Sequence, residues 1–135
     1  MSRYPTSKLL DLMAAYIFSE KINEQTDKHI TVNAFNPGLM TSTNLNGDSG
    51  SNRIMKVTMN AFSYLIGRHG SAETSGKQLA ETVTGSQWQG ITGKYIDRGK
   101  ETKSSPASYN KVAQNKLWRQ SLDLANISNN ETILK

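Results

Sequence analysis

Apolar residues recur along this chain with two periods, which divide it into helices and short strands. From Pro5 to about Glu24, the residues Leu9, Leu10, Leu12, Met13, Tyr16, Ile17 and Ile22 fall three and four apart, and that spacing places them on one stripe of a helix. After the polar turn Glu24-Gln25-Thr26-Asp27-Lys28, the run Ile30-Thr31-Val32-Asn33-Ala34-Phe35 is short and rich in β-branched residues. Asn36-Pro37-Gly38 stops it, as expected where a strand ends in a loop. Residues 39–52 are rich in Thr, Ser, Asn and Gly, and irregular stretches of that length in compact proteins are commonly functional. Ile54, Val57, Met59, Ala61, Phe62, Leu65 and Ile66 predict a second amphipathic helix ending at Gly67 or Gly70. A third is predicted to begin at a Ser71 cap with Glu73 in its first turn, to run through Leu79 to Val83 and to stop at Gly85. Gly93-Lys94-Tyr95-Ile96-Asp97 reads as a second strand. Ser108 is the expected cap of a last helix, Tyr109 to Asn126, carrying Val112, Ala113, Leu117, Trp118 and Leu122.

The order α-β-α-α-β-α offers two strands, and two strands make a marginal sheet. Strands joined through helices are parallel, so both faces need helices and the edges need further strands. The expected fold is therefore α/β and helix-rich, part of a larger sheet domain, with a polar tail over residues 128–135.

Composition narrows the chemistry. The 135 residues include no Cys, which removes disulfides, thiol nucleophiles and Cys-ligated metals and agrees with a reducing compartment. His29 and His69 stand forty residues apart without a second ligand at helical spacing, so no metal site is expected. No apolar run is long enough to cross a bilayer and no signal-peptide plan opens the chain, so a cytoplasmic protein without a membrane partner is expected. The net charge of +5 invites a nucleic-acid reading. However, the densest cationic region, Lys94, Arg98, Lys100 and Lys103, is interleaved with Asp97 and Glu101, as on a solvated surface, and no nucleic-acid partner is expected.

Two features carry candidate chemistry. In Tyr4-Pro5-Thr6-Ser7-Lys8 a phenol and an ammonium lie four residues apart at the start of the first helix, so both project from one face. A fixed cation beside a phenol favours the phenolate, and the ammonium also has donors for a ligand's hydroxyls. The ordinary alternative is a solvated surface pair. The second feature is Asn33-Ala34-Phe35-Asn36-Pro37-Gly38-Leu39-Met40-Thr41-Ser42-Thr43, at the carboxyl end of the first strand, where open α/β sheets bind ligands. Pro37 stiffens the exit, Gly38 lets a ligand approach the backbone, and Ser42 and Thr43 supply hydroxyls. Here the alternative is a plain Pro-Gly turn.

Together the two features resemble the short-chain dehydrogenase/reductase family. The resemblance rests on Tyr4-x-x-Ser7-Lys8, on Ile30-x-Val32-Asn33, and on Pro37-Gly38 followed by a hydroxyl at Ser42. It continues through Gly93-Lys94-Tyr95, Ser104-Ser105, Ser108-Tyr109 and Leu117-Trp118, which look like the carboxyl-terminal part of the branch with protochlorophyllide reductases and retinol-dehydrogenase-like enzymes. It covers Arg3 to about Ile127 and implies the C-terminal half of a Rossmann-like doubly wound parallel sheet. It further implies hydride transfer between NAD or NADP and a small carbonyl or alcohol substrate. Tyr4 would be the acid/base, and Lys8 would lower its pKa and hold the nicotinamide ribose. Pro37, Gly38, Leu39 and Met40 would meet the carboxamide, with Ser42 holding the nicotinamide or pyrophosphate end. Residues 39–70 would be substrate loop and lid, with Met55, Met59, Phe62 and Tyr64 lining a pocket or packing.

The family's Gly-rich fingerprint has no counterpart in the chain, and its catalytic Ser and Asn would precede Met1. The expectation is a chain inactive by itself, joined by a complementing amino-terminal half or by another copy. The alternative is a non-catalytic dimerisation or regulatory module retaining that fold.

Overall fold

The computed structural model describes residues 3–40, 69–128 and 130–134. In chain order they form α1 (Arg3–Gln25), β1 (Ala34–Asn36), β2 (Leu39–Met40), β3 (His69–Gly70), α2 (Ala72–Thr84), β4 (Tyr95–Asp97), β5 (Lys100–Thr102) and α3 (Lys111–Leu124). Two 3-10 turns, Ser86–Trp88 and Pro106–Tyr109, lie between them. The expected second helix, with the lid it would form, falls outside the described residues, as do Ser42 and Thr43.

β1, β4 and β5 make a small open sheet in the order β1-β4-β5, and β2 pairs with β3 in parallel, Leu39 opposite His69 and Met40 opposite Gly70. Gly93 N–H donates to Val32 C=O at 2.8 Å, Ala34 N–H to Lys94 C=O at 2.8 Å, and Arg98 N–H to Asn36 C=O at 2.9 Å. Partners rise together along both segments, so β1 and β4 are parallel, as the helical connection between them requires. The described chain is a helix-rich array with a small mixed sheet, compatible with an α/β fragment.

The residues cluster into two compact units, Met1–Ala34, Gly90–Ile96 and Glu101–Lys135 in one, Phe35–Gln89 and Asp97–Lys100 in the other. In the first, α1 packs on α3 and on the 106–109 turn. Met13, Tyr16, Ile17 and Ile22 of α1 are buried, and so is Ile96 of β4. Phe18 stacks on Trp118, with ring centroids 6.1 Å apart, and Glu20 pairs with Lys111. Around Tyr16 a chain of hydroxyls ties α1 to the 104–109 segment: Tyr16 Oη to Ser104 Oγ at 2.7 Å, and Ser104 Oγ to Ser108 Oγ at 2.7 Å.

In the second unit, Ser71 caps α2 as expected, its hydroxyl accepting the Thr74 N–H at 3.0 Å, and the helix ends at Gly85.

Three sequence expectations are corrected. The first strand does not run from Ile30 to Phe35; it begins at Ala34, and Ile30 is 53% exposed. The preceding residues pair largely through side chains instead of a regular ladder. Val32 N–H donates to Thr92 Oγ1 at 2.9 Å, Asn33 Nδ2 to Ile91 C=O at 2.8 Å, and Lys94 N–H to Asn33 Oδ1 at 2.9 Å. The last helix is capped by Asn110, whose Oδ1 accepts the Ala113 N–H at 3.0 Å, and not by Ser108. Ser108 is fully buried in a 3-10 turn, its hydroxyl donating to Ser105 C=O at 2.6 Å. The second strand spans Tyr95–Asp97, not Gly93–Asp97, and continues through a two-residue turn into β5, an element the pattern did not indicate. Arg98 (φ 52°) and Gly99 (φ 78°) are both left-handed, as a type I′ hairpin demands. The usual signal there is Asn or Asp before Gly; Arg in that place hid it.

Candidate functional site

Tyr4 and Lys8 sit on the first two turns of α1, in the first unit. One helical turn separates them, and the Lys8 ammonium lies 5.8 Å from the centroid of the Tyr4 ring, close enough for a cation–π contact. Ser7 between them donates its hydroxyl back to the Tyr4 carbonyl at 2.9 Å and thus serves its own helix. Tyr4 is 62% exposed. Lys8 also donates to Asp11 Oδ2 at 3.1 Å, and that carboxylate, first by hydrogen bond and then by charge, holds the ammonium above the usual lysine value. Sequence reasoning passed over Asp11, although its i,i+3 spacing from Lys8 was the available signal.

The Pro-Gly turn belongs to the second unit. Gly38 adopts φ 80°, which glycine takes without strain. Its N–H donates to Asn36 Oδ1 at 3.1 Å, and the Pro37 carbonyl accepts the Ser75 hydroxyl at 3.0 Å. Asn36 Nδ2 donates to Asp97 Oδ1 at 3.0 Å. Leu39 and Met40 follow in β2, paired to β3. Ser75 and Asp97 carried no sequence signal, since both act on the turn from tens of residues away.

The donor set can be tested against a nicotinamide nucleotide. An ammonium has three N–H donors, of which Asp11 takes one, and the Lys8 side chain is 60% exposed, so donors remain for ribose hydroxyls. At the turn, the Gly38 N–H is engaged by Asn36, while the Pro37 carbonyl has a second lone pair beyond the one that Ser75 uses. Lys8 thus keeps donors that suit a ribose, and the turn keeps an acceptor at Pro37, each within its own unit. Among the described residues no group of three or more His, Asp or Glu could hold a metal ion, and no helix is long and apolar enough to cross a membrane.

The first unit carries a phenol–ammonium pair on a helix face, and the second a Pro-Gly turn at the carboxyl end of a parallel strand. No family model matches the chain. It is 32% identical over 124 residues, 92% of its length, to a polyprenol dehydrogenase of Danio rerio. The chain spans about a third of that relative, 36% of its length. The likeness is to a dehydrogenase, and it runs over nearly the whole of this chain.

Proposed function

We propose that this chain is the carboxyl-terminal part of an NAD(P)-dependent oxidoreductase of the short-chain type, built on a Rossmann-like sheet and acting on an alcohol or carbonyl substrate. The carrying observation is the Tyr4–Lys8 pair, ring and ammonium 5.8 Å apart on one helix face. It stands in a chain similar over nearly all its length to a dehydrogenase. In this reading a nicotinamide, when bound, would supply the hydride chemistry, with Lys8 holding its ribose. The Tyr4 phenol oxygen exchanges the proton with the substrate oxygen, and Lys8 donates to the ribose hydroxyls. Asp11 pairs with the same ammonium and holds it over the first turns of α1. Given what the relative is named for, an apolar primary alcohol is the first substrate to assay.

Tyr4 stands 62% exposed, and acid/base chemistry gains from exclusion of water, so the working site needs a cover over the amino-terminal turns of α1. A complementing amino-terminal half of the enzyme is the proposed cover, and a second copy of the chain is the other. The same exposure favours a second reading, a non-catalytic dimerisation or regulatory module, in which Tyr4→Phe changes nothing.

Titration of NADPH and NADH into the purified chain, followed by nicotinamide fluorescence, tests the proposal. Saturable binding that Lys8→Ala weakens by about tenfold or more is the expected outcome. Equal binding by the variant overturns it, as does a lack of binding when an amino-terminal half of a short-chain dehydrogenase is supplied. In the assembled enzyme Tyr4→Phe is expected to lower turnover by about 10²–10⁴-fold.

A further inference from the structure

The Pro37–Gly38 turn takes its shape from two other segments of its own unit. On one side Ser75 of α2, only 4% exposed, donates its hydroxyl to the Pro37 carbonyl at 3.0 Å. On the other, Asp97 at the end of β4 accepts the Asn36 side-chain N–H at 3.0 Å, and the Arg98 N–H donates to the Asn36 carbonyl at 2.9 Å. The two sides meet again at α2, since a Cβ on Gly99 would stand 3.3 Å from Gln78 Cγ. The turn, the hairpin and α2 thus form a closed circuit.

Within it, Asp97 has a task that no apolar or donor residue could perform. A primary carboxamide has one accepting and one donating edge of nearly equal shape, and only its partners decide which way it points. An ionised carboxylate accepts and does not donate, so Asp97 obliges Asn36 to turn its NH₂ toward it. Asn36 Oδ1 is then left for the Gly38 N–H, at 3.1 Å. We infer that Asp97 is a positioning residue for the Pro37–Gly38 turn, fixing through Asn36 the backbone of Gly38 on which nicotinamide binding depends. The link to the cofactor rests on the function proposed above; the link to Gly38 does not.

Amide hydrogen exchange of Gly38, read by NMR on the full chain, tests the positioning. Asp97→Ala is expected to speed it by about tenfold, the worth of one hydrogen bond, and Asp97→Asn, which can turn either edge of its amide to Asn36, to restore it only in part. Asn36→Ala should match Asp97→Ala, and the double variant should be no worse than Asn36→Ala, because the two act in series. An unchanged Gly38 rate in Asp97→Ala, or additive effects in the double variant, overturns the inference. In parallel, NADPH and NADH affinity should fall by about tenfold in Asp97→Ala and recover only in part in Asp97→Asn. Unchanged affinity with a freed Gly38 amide overturns the role in cofactor binding. If wild type binds neither nucleotide even with an amino-terminal half of a short-chain dehydrogenase supplied, the proposed function fails, while the exchange rates still decide whether Asp97 sets the turn.

Discussion

Tyr16 and Tyr109 stack with ring centroids 5.2 Å apart, and their hydroxyls meet at 3.4 Å beside Ser104. Burial pushes the Tyr16 phenol up to about 12. The Ser104 hydroxyl, Tyr16 and the Ser104 N–H hold the Tyr109 phenol below its ordinary value. The two shifts act oppositely on stability. Folding favours protonated Tyr16, so its contribution is complete below the ordinary value of 10.0 and is lost as pH rises toward about 12. Tyr109 contributes in the other direction, gaining as pH climbs through its depressed value toward 10.0. Tyr16→Phe removes the bond to Ser104 and is expected to cost about 1 kcal/mol at neutral pH. The gap in urea midpoint between wild type and variant should narrow between pH 10 and 12, which a series of unfolding curves would show. None of this was visible beforehand: Tyr16 was readable as a buried helical position, but its partners lie 88 and 93 residues away.

Two glycines separate local from tertiary demands at the scale of the element. Gly76 lies inside α2 with open space where a Cβ would be, so Gly76→Ala should stabilise the helix by about 0.5–1 kcal/mol. Gly99 has φ 78° in the hairpin turn, and a Cβ there would press on Gln78 at 3.3 Å. Gly99→Ala is therefore expected to destabilise by about 1 kcal/mol or more, and thermal unfolding of the two variants should shift in opposite directions. Both helices that the pattern placed over residues 5–24 and 71–85 stand in those places, because capping chemistry and a repeated apolar stripe are local properties. The β5 strand went unread because Lys100, Glu101 and Thr102 are all exposed, leaving no apolar alternation to mark them.

For the whole molecule, a ligand that binds the folded chain must also stabilise it. At about 100 times its dissociation constant, a nicotinamide nucleotide is expected to add about 2.7 kcal/mol to the unfolding free energy, seen as a rise in Tm that Lys8→Ala loses. The proposed cover over Tyr4 adds a second expectation. Supplying an amino-terminal half of a short-chain dehydrogenase should raise Tm further and protect the α1 amino-terminal amides from exchange, whereas a regulatory dimer would show the protection without nucleotide dependence.

The amino-acid sequence by itself determined what depends on near neighbours: the helical stripe from Leu9 to Ile22, the Ser71 cap, the break at Asn36-Pro37-Gly38, and a phenol and an ammonium one turn apart at Tyr4 and Lys8. Periodicity, capping and φ preference act within a few residues, so they can be read along the chain. Tertiary structure decided where the strands begin and what shapes the turn. Thr92 and Asn33 pair with residues some 60 positions away and shorten β1, Ser108 is drawn into the core and yields the cap to Asn110, and Ser75 and Asp97 clasp the Pro37–Gly38 turn. Hydrogen bonds between distant segments depend on where the chain has already been brought, and no local pattern of residue types encodes that meeting.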